Sequence, residues 1–150
     1  MITDFASSFD NDLMQGDLSF TQAGLFENES SLRTAILHSL LGKARISTEE
    51  MEIYQVDEPG GWWGSQLTGK QNDNYGSKRW VLRRAKANEQ TRRLYEQFTR
   101  ESLAWLITDG LAQAVDYESE WGRPGQLLER ITVTLSTGRT EQFDLITRSL

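Results

Sequence analysis

The chain has 150 residues, a quarter of them charged and only two of them proline, so it can bury one proper core and is too ordinary in composition for wholesale disorder. It has no cysteine, which removes disulfides, thiol chemistry and thiolate metal sites and suits a reducing cytosol, and its single histidine, His38, excludes the usual multi-His zinc sites. The net charge of −6 hides an asymmetry: residues 70–100 hold nine Lys/Arg against three Asp/Glu, or +6, while the rest holds seven against nineteen, or −12.

Residues 1–29 read as a partly irregular arm with one short strand, because Phe5, Phe9, Leu13, Leu18, Phe20, Leu25 and Phe26 follow no clean period. Met1 to Asp10 has neither a basic region nor an apolar run, so it is not read as a signal peptide, and the longest apolar run is too short to span a bilayer. A soluble, non-secreted protein without membrane contact is expected. Asp10-Asn11-Asp12 resembles the start of a calcium loop, but Met14 and Gln15 stand where a ligand and the required glycine belong.

A first helix is predicted from about Ser30 to Leu41, with Leu32, Ile36 and Leu40 on a wide apolar face, a serine cap, and Gly42 as its stop. His38 beside that face reads as a surface or core-edge imidazole, since no activated nucleophile accompanies it. Met51 to Val56 reads as a short strand or extended segment.

From Pro59 to Trp80, 22 positions carry three of the five Trp and five of the twelve Gly. Glycine at this density lets the backbone turn sharply and come close to other groups, and Trp brings the most contact area. The segment therefore reads as a structured loop with pinned aromatics. Trp62 and Trp63 are adjacent, and successive side chains of an extended chain diverge. One is expected in the core and the other at an interface.

A second helix is predicted over about Lys78–Ala87, capped by Ser77, with Trp80, Val81 and Ala85 inward and Arg79, Arg83 and Lys86 outward. Asn88 caps a third and longest, about Glu89–Thr108, whose inward stripe includes Leu94, Tyr95, Phe98, Leu103, Trp105, Leu106 and Ile107. Asp109-Gly110 ends it. The period then changes to two. Leu111, Val115, Tyr117 and Trp121 share one face, with Asp116, Glu118 and Glu120 on the other; a Gly122–Gly125 turn follows. Leu127, Ile131, Val133 and Leu135 alternate with Arg130, Thr132 and Thr134, and after a turn at 136–139, Phe143 and Leu145 mark a third strand. The fold class is α+β: one domain over residues 30–150, with helices packed on a three-stranded antiparallel meander.

No catalytic or cofactor constellation emerges. Gly64 to Lys70 matches G-x-x-x-x-G-K, but Gln71 replaces the Ser/Thr that would hold Mg²⁺ and a turn-forming run replaces the helix. Asp116, Glu118 and Glu120 lie on one wet strand face, where nothing raises a carboxyl to make the general acid of a cell-wall hydrolase. The basic section with Trp80 and Tyr95 suggests a nucleic-acid-binding adaptor as the main rival, against which stands the overall acidity.

Four blocks, taken together in order and spacing, resemble a known family. They are Leu32 to Leu40, the Gly61-Trp62-Trp63-Gly64 loop, Gly76 to Leu82, and Ser102 to Gly110. The family is that of small Mu-like prophage tail proteins, itself similar to the small baseplate wedge proteins of contractile-tailed phages and type VI secretion systems. The resemblance implies a non-enzymatic wedge subunit, assembled in the bacterial cytoplasm and resident in the tail baseplate. Its partners would be other baseplate proteins, a larger wedge subunit or hub, and the sheath. The wider wedge group carries Glu-Pro-Arg where this chain has Asp109-Gly110-Leu111, so contacts of that motif are not transferred. From charge and aromatic content, the expected partner-binding residues are Trp62, Trp63, Arg79, Arg83, Arg84 and Arg93.

Overall fold

The computed structural model describes residues 3–5, 7–10, 15–18, 28–62 and 76–149. Trp63 and the Gly64–Lys70 stretch lie outside the described residues. Among the described residues the arm contains four short strands rather than one. β1 (Thr3–Phe5) pairs antiparallel with β4 (Asn28–Ser30), and β2 (Ser7–Asp10) pairs with β3 (Gln15–Leu18). Strands of three or four residues hold too few side chains to display a period of two, which is why the pattern did not reveal them.

β4 runs directly into α1 (Ser31–Leu41), which buries Ile36, Leu37 and Leu40 and ends where the Gly42 amide donates to the His38 carbonyl. Helix α2 (Thr48–Tyr54) replaces the extended segment expected from Met51 onward. The Ser47 hydroxyl accepts from the Glu50 amide while the Glu50 carboxylate accepts from the Ser47 amide, a reciprocal cap that starts the helix. Gln55, with φ 52°, stops it in the left-handed conformation.

Lys78–Arg84 forms a 3-10 helix, shorter and tighter than the α-helix expected there. At three residues per turn, positions three apart stack, so Arg79 shares a face with the fully buried Leu82. Arg79, expected outward at the α-helical period, is thereby turned into the core. A parallel bridge between Lys43 and Ser77 ties this helix to the end of α1, through Ser77 N–H to Gly42 O (2.9 Å) and Ala44 N–H to Ser77 O (3.1 Å). Gly76 makes that approach possible: its φ is +88° and a Cβ there would sit 2.5 Å from the Gly42 oxygen.

Helix α3 (Glu89–Thr108) has the expected bounds and Asn88 cap, with Thr91 N–H to Asn88 Oδ1 at 2.8 Å. At 1.5 Å per residue it is roughly 30 Å long. It buries Tyr95, Phe98, Leu103 and Leu106, while Ile107, assigned to its stripe, is largely exposed.

The meander is β5 (Ala112–Trp121), β6 (Gln126–Leu135) and β7 (Thr140–Arg148), in sheet order β5-β6-β7. Its register sets Tyr117, Ile131 and Phe143 in one inward row and Glu118, Arg130 and Asp144 in one outward row. An irregularity between Ala112 and Ala114 flips the side-chain parity at the start of β5, so Ala112 is buried and Leu111 faces out. On the outer face Arg130 stands opposite Glu118 of β5 and makes its ion pair with Asp144 of β7 at 2.9 Å.

The helices cover one face of this sheet through two apolar clusters. In the first, Ile36, Leu40, Leu103 and Leu106 meet Tyr117, Ile131 and Phe143. In the second, Ile46, Val81, Leu82, Tyr95 and Phe98 meet Leu127. Along β6 the inward residue between Leu127 and Ile131 is Glu129, so a carboxylate lies at the seam between the two clusters.

Candidate partner-binding site

The best-built polar cluster of the described residues is internal. Arg79, from the 3-10 helix, grips Glu129 of β6 with both guanidinium nitrogens, Nη1 to Oε1 and Nη2 to Oε2 at 2.7 Å each. Each element packed around the pair adds a hydroxyl: Thr99 Oγ1 accepts from Arg79 at 2.5 Å, Tyr117 donates to Glu129 at 2.6 Å, and Thr147 bridges both partners at 3.0 and 2.5 Å. The guanidinium also lies 5.1 Å over the Tyr95 ring. Burial alone would raise the Glu129 carboxyl, but the Arg79 charge and the surrounding hydrogen bonds outweigh it and hold the carboxyl below its ordinary value. Burial and the adjacent Glu129 charge push the Tyr117 phenol far up, so it stays a neutral donor.

This cluster removes Arg79 from any outer contact surface. Charges that are desolvated and satisfied by a fork-to-fork pair specify internal packing. Glu129 was not singled out from the sequence, although its place on the inward parity of Leu127, Ile131 and Val133 is the signal that marks it.

The other cations of the basic section divide cleanly. Lys78 binds Glu50 at 2.5 Å, Arg92 and Arg93 both pair with Glu89, and Arg100 pairs with Glu96 at 3.0 Å. Arg92 and Arg100 also reach the backbone carbonyls of Ser119 and Val115 on β5. Arg83, Arg84 and Lys86 are exposed and have no carboxylate within ion-pair reach among the described residues. Among the described residues the cations of the basic section thus share four carboxylates, and the three cations without one, Arg83, Arg84 and Lys86, follow directly after Leu82.

Beside those residues the surface is concave. A groove of 250 Å³ runs between the 3-10 helix, which contributes Trp80, Arg83 and Arg84, and the segment after α2, which contributes Asp57 and Glu58. The Trp80 indole N–H donates to the Ala44 carbonyl at 2.9 Å, and Lys43 Nζ stands 5.5 Å over the ring. Gly60, with φ +64°, lies flat against that ring; a Cβ there would meet Trp80 Cζ2 at 2.5 Å. The chain leaves this contact to present Trp62, 46% exposed, two residues later. Trp62 therefore lies at the surface, while its tandem partner Trp63 lies outside the described residues.

A second, wider concavity of 530 Å³ lies on the outer face of the sheet, where Glu118, Glu120, Arg130 and Asp144 surround Leu128 and Ile146. Asp116, Glu118 and Glu120 are exposed there, and His38 is exposed on α1. Among the described residues no group of three His, Cys, Asp or Glu side chains could hold a metal ion. No described helix is long and apolar enough to cross a membrane.

Fold and surface together define a small α+β scaffold with an internal ion pair and a polarised, aromatic-bearing rim. The family described as phage protein GP46 matches residues 32–140, which take in the helices, β5 and β6 and stop at the first residue of β7. The chain is similar to the Mu-like prophage FluMu protein gp46 of Haemophilus influenzae, at 32% identity over 130 residues that cover 85% of each chain. It is also similar to the baseplate protein gp46 of Escherichia phage Mu, at 30% identity over 116 residues, 77% of this chain and 78% of that one. The chain belongs to the phage protein GP46 family.

Proposed function

We propose that this protein is a non-enzymatic structural component of a phage tail baseplate. The observation that carries the reading is the similarity, over most of both chains, to the phage Mu protein named as a baseplate protein. In its finer form, the protein is a wedge subunit that joins other baseplate proteins, a larger wedge subunit or the hub, to one another and to the sheath. It enters the virion during assembly in the host cytoplasm.

The contact surface in this reading comprises Trp62, Trp63, Arg83, Arg84 and Arg93. Burial in the core takes Arg79 off that surface. Support comes from composition: Trp and Arg are the residues most enriched where binding energy concentrates. Arg93 sits at the margin, since it already pairs with Glu89 at 3.5 Å.

Gold labelling of an epitope-tagged copy tests the placement. Label is expected at the junction of tube, sheath and baseplate. Label on the capsid or the tube shaft, or none on particles that carry every other tail protein, contradicts it. Trp62→Ala should leave the melting temperature within about 2 °C, since surface changes stay within about half a kcal/mol, and should reduce the yield of complete tails.

A further inference from the structure

We infer that the groove between the 3-10 helix and the segment after α2 seats an acidic segment of a partner protein, with a carboxylate between Arg83 and Arg84 and an apolar side chain against Trp80. Charge accounting gives the first argument. Of the eight Lys and Arg between Lys78 and Arg100, five have a carboxylate partner and three, Arg83, Arg84 and Lys86, have none among the described residues. Two of those three line this groove. Their side chains stand on a rigid base, because the turn that carries them also sends Arg79 into the core and Leu82 into complete burial.

The acidic residues of the groove decide the class of partner. The segment after α2 brings Asp57 and Glu58 into the same groove, and no ion pair joins them to Arg83, Arg84 or Lys43. Opposite charges that line one groove without bridging leave room for a ligand between them. A nucleic-acid backbone is uniformly anionic and meets repulsion from Asp57 and Glu58 along its length. A polypeptide places a carboxylate toward the arginines and backbone N–H or basic groups toward the acids, and so satisfies both sides. The indole of Trp80, half-buried and anchored to Ala44, supplies the apolar floor.

The class of partner rests on the baseplate reading only in the expectation of a protein, and the test uses purified full-length chain with a synthetic probe. Its failure is therefore separable from the failure of gold labelling above. The probe is a fluorescein-labelled peptide with a Glu-Leu-Glu run followed by Leu-Lys, compared with an oligothymidylate of similar length, by anisotropy and by the Trp80 indole N–H resonance. The peptide should bind, shift that resonance, and weaken as salt rises from about 50 to about 500 mM. Arg83→Glu with Arg84→Glu should weaken it by about tenfold or more, roughly 1.4 kcal/mol, with an unchanged melting curve. Arg139→Glu, in the exposed turn between β6 and β7, should leave it as it was. Asp57→Lys with Glu58→Lys should confer oligothymidylate binding that the natural chain lacks. The inference is overturned if the peptide is indifferent to Arg83 and Arg84, or if oligothymidylate binds the natural chain more tightly. It is overturned equally if sedimentation shows the groove filled by a second copy, through a dimer that the Arg83 and Arg84 changes dissolve.

Discussion

Arg79 and Glu129 show how one side chain can be read wrongly from its neighbours. In a run of basic residues the default is a solvated face, yet Arg79 is buried and its partner lies fifty positions further on. Removing one member strands the other in the core. Arg79→Met or Glu129→Gln should therefore cost about 3–5 kcal/mol, whereas Arg79→Met combined with Glu129→Leu should recover a large part, since no orphaned charge remains. Denaturant titration of the three variants checks this; additive losses would mean that the pair is not coupled. The pH dependence follows from the sign of the shift. Glu129 is held below the ordinary 4.5, so its contribution is complete above that value and is lost as pH falls through the lower folded-state value. The groups facing it from each packed element are Arg79, Thr99, Tyr117 and Thr147, and none of them titrates in that window. Natural protein should lose stability below about pH 4.5 more steeply than Glu129→Gln, measured by urea midpoints from pH 3 to 6. Equal slopes would contradict the assignment. Tyr117 was legible as inward from its alternation, and Glu129 was not, because an acid at an inward position has meaning only once its cation is placed.

At the scale of elements, the long amphipathic helix and the three strands followed from period alone, since twenty and nine or ten residues give a period room to show itself. The short elements did not. The 3-10 helix has a period of three, which an α-helical template misassigns within a single turn. Helix α2 spans seven residues and buries none of them, so its apolar pattern carried no signal. What starts it is the Ser47–Glu50 cap; Glu50 then reaches Lys78, and Met51 and Tyr54 lean on the second apolar cluster. The cap and the Lys78 contact together lower the Glu50 carboxyl, the Lys78 hydrogen bond foremost. Ser47→Ala should cost about 1 kcal/mol and speed hydrogen exchange at Met51 to Tyr54 without altering α3. If exchange in α2 is unchanged, the cap is not what sets this helix.

For the whole molecule, the charge asymmetry was visible in the sequence, but its distribution was not. Five cations of the basic section share four glutamates, Glu50, Glu129, Glu89 and Glu96, of which Glu89 and Glu96 lie on α3 itself. Arg83, Arg84 and Lys86, exposed and without a carboxylate among the described residues, form the most concentrated part of what remains. A surface so placed acts on encounter and register with a partner more than on the fold. The four sequence blocks that suggested the family map onto α1, the Trp loop, the 3-10 helix and the end of α3, and three of the four elements build the core.

The central claim, a structural place in the baseplate, is tested most directly by deleting the gene from the phage or prophage that encodes it and examining the particles by electron microscopy. The account predicts heads and free tube or sheath material but no complete baseplate-bearing tails, with assembly restored by the natural chain supplied in trans and not by Arg83→Glu with Arg84→Glu. Intact, infectious tails in the absence of the protein would contradict it.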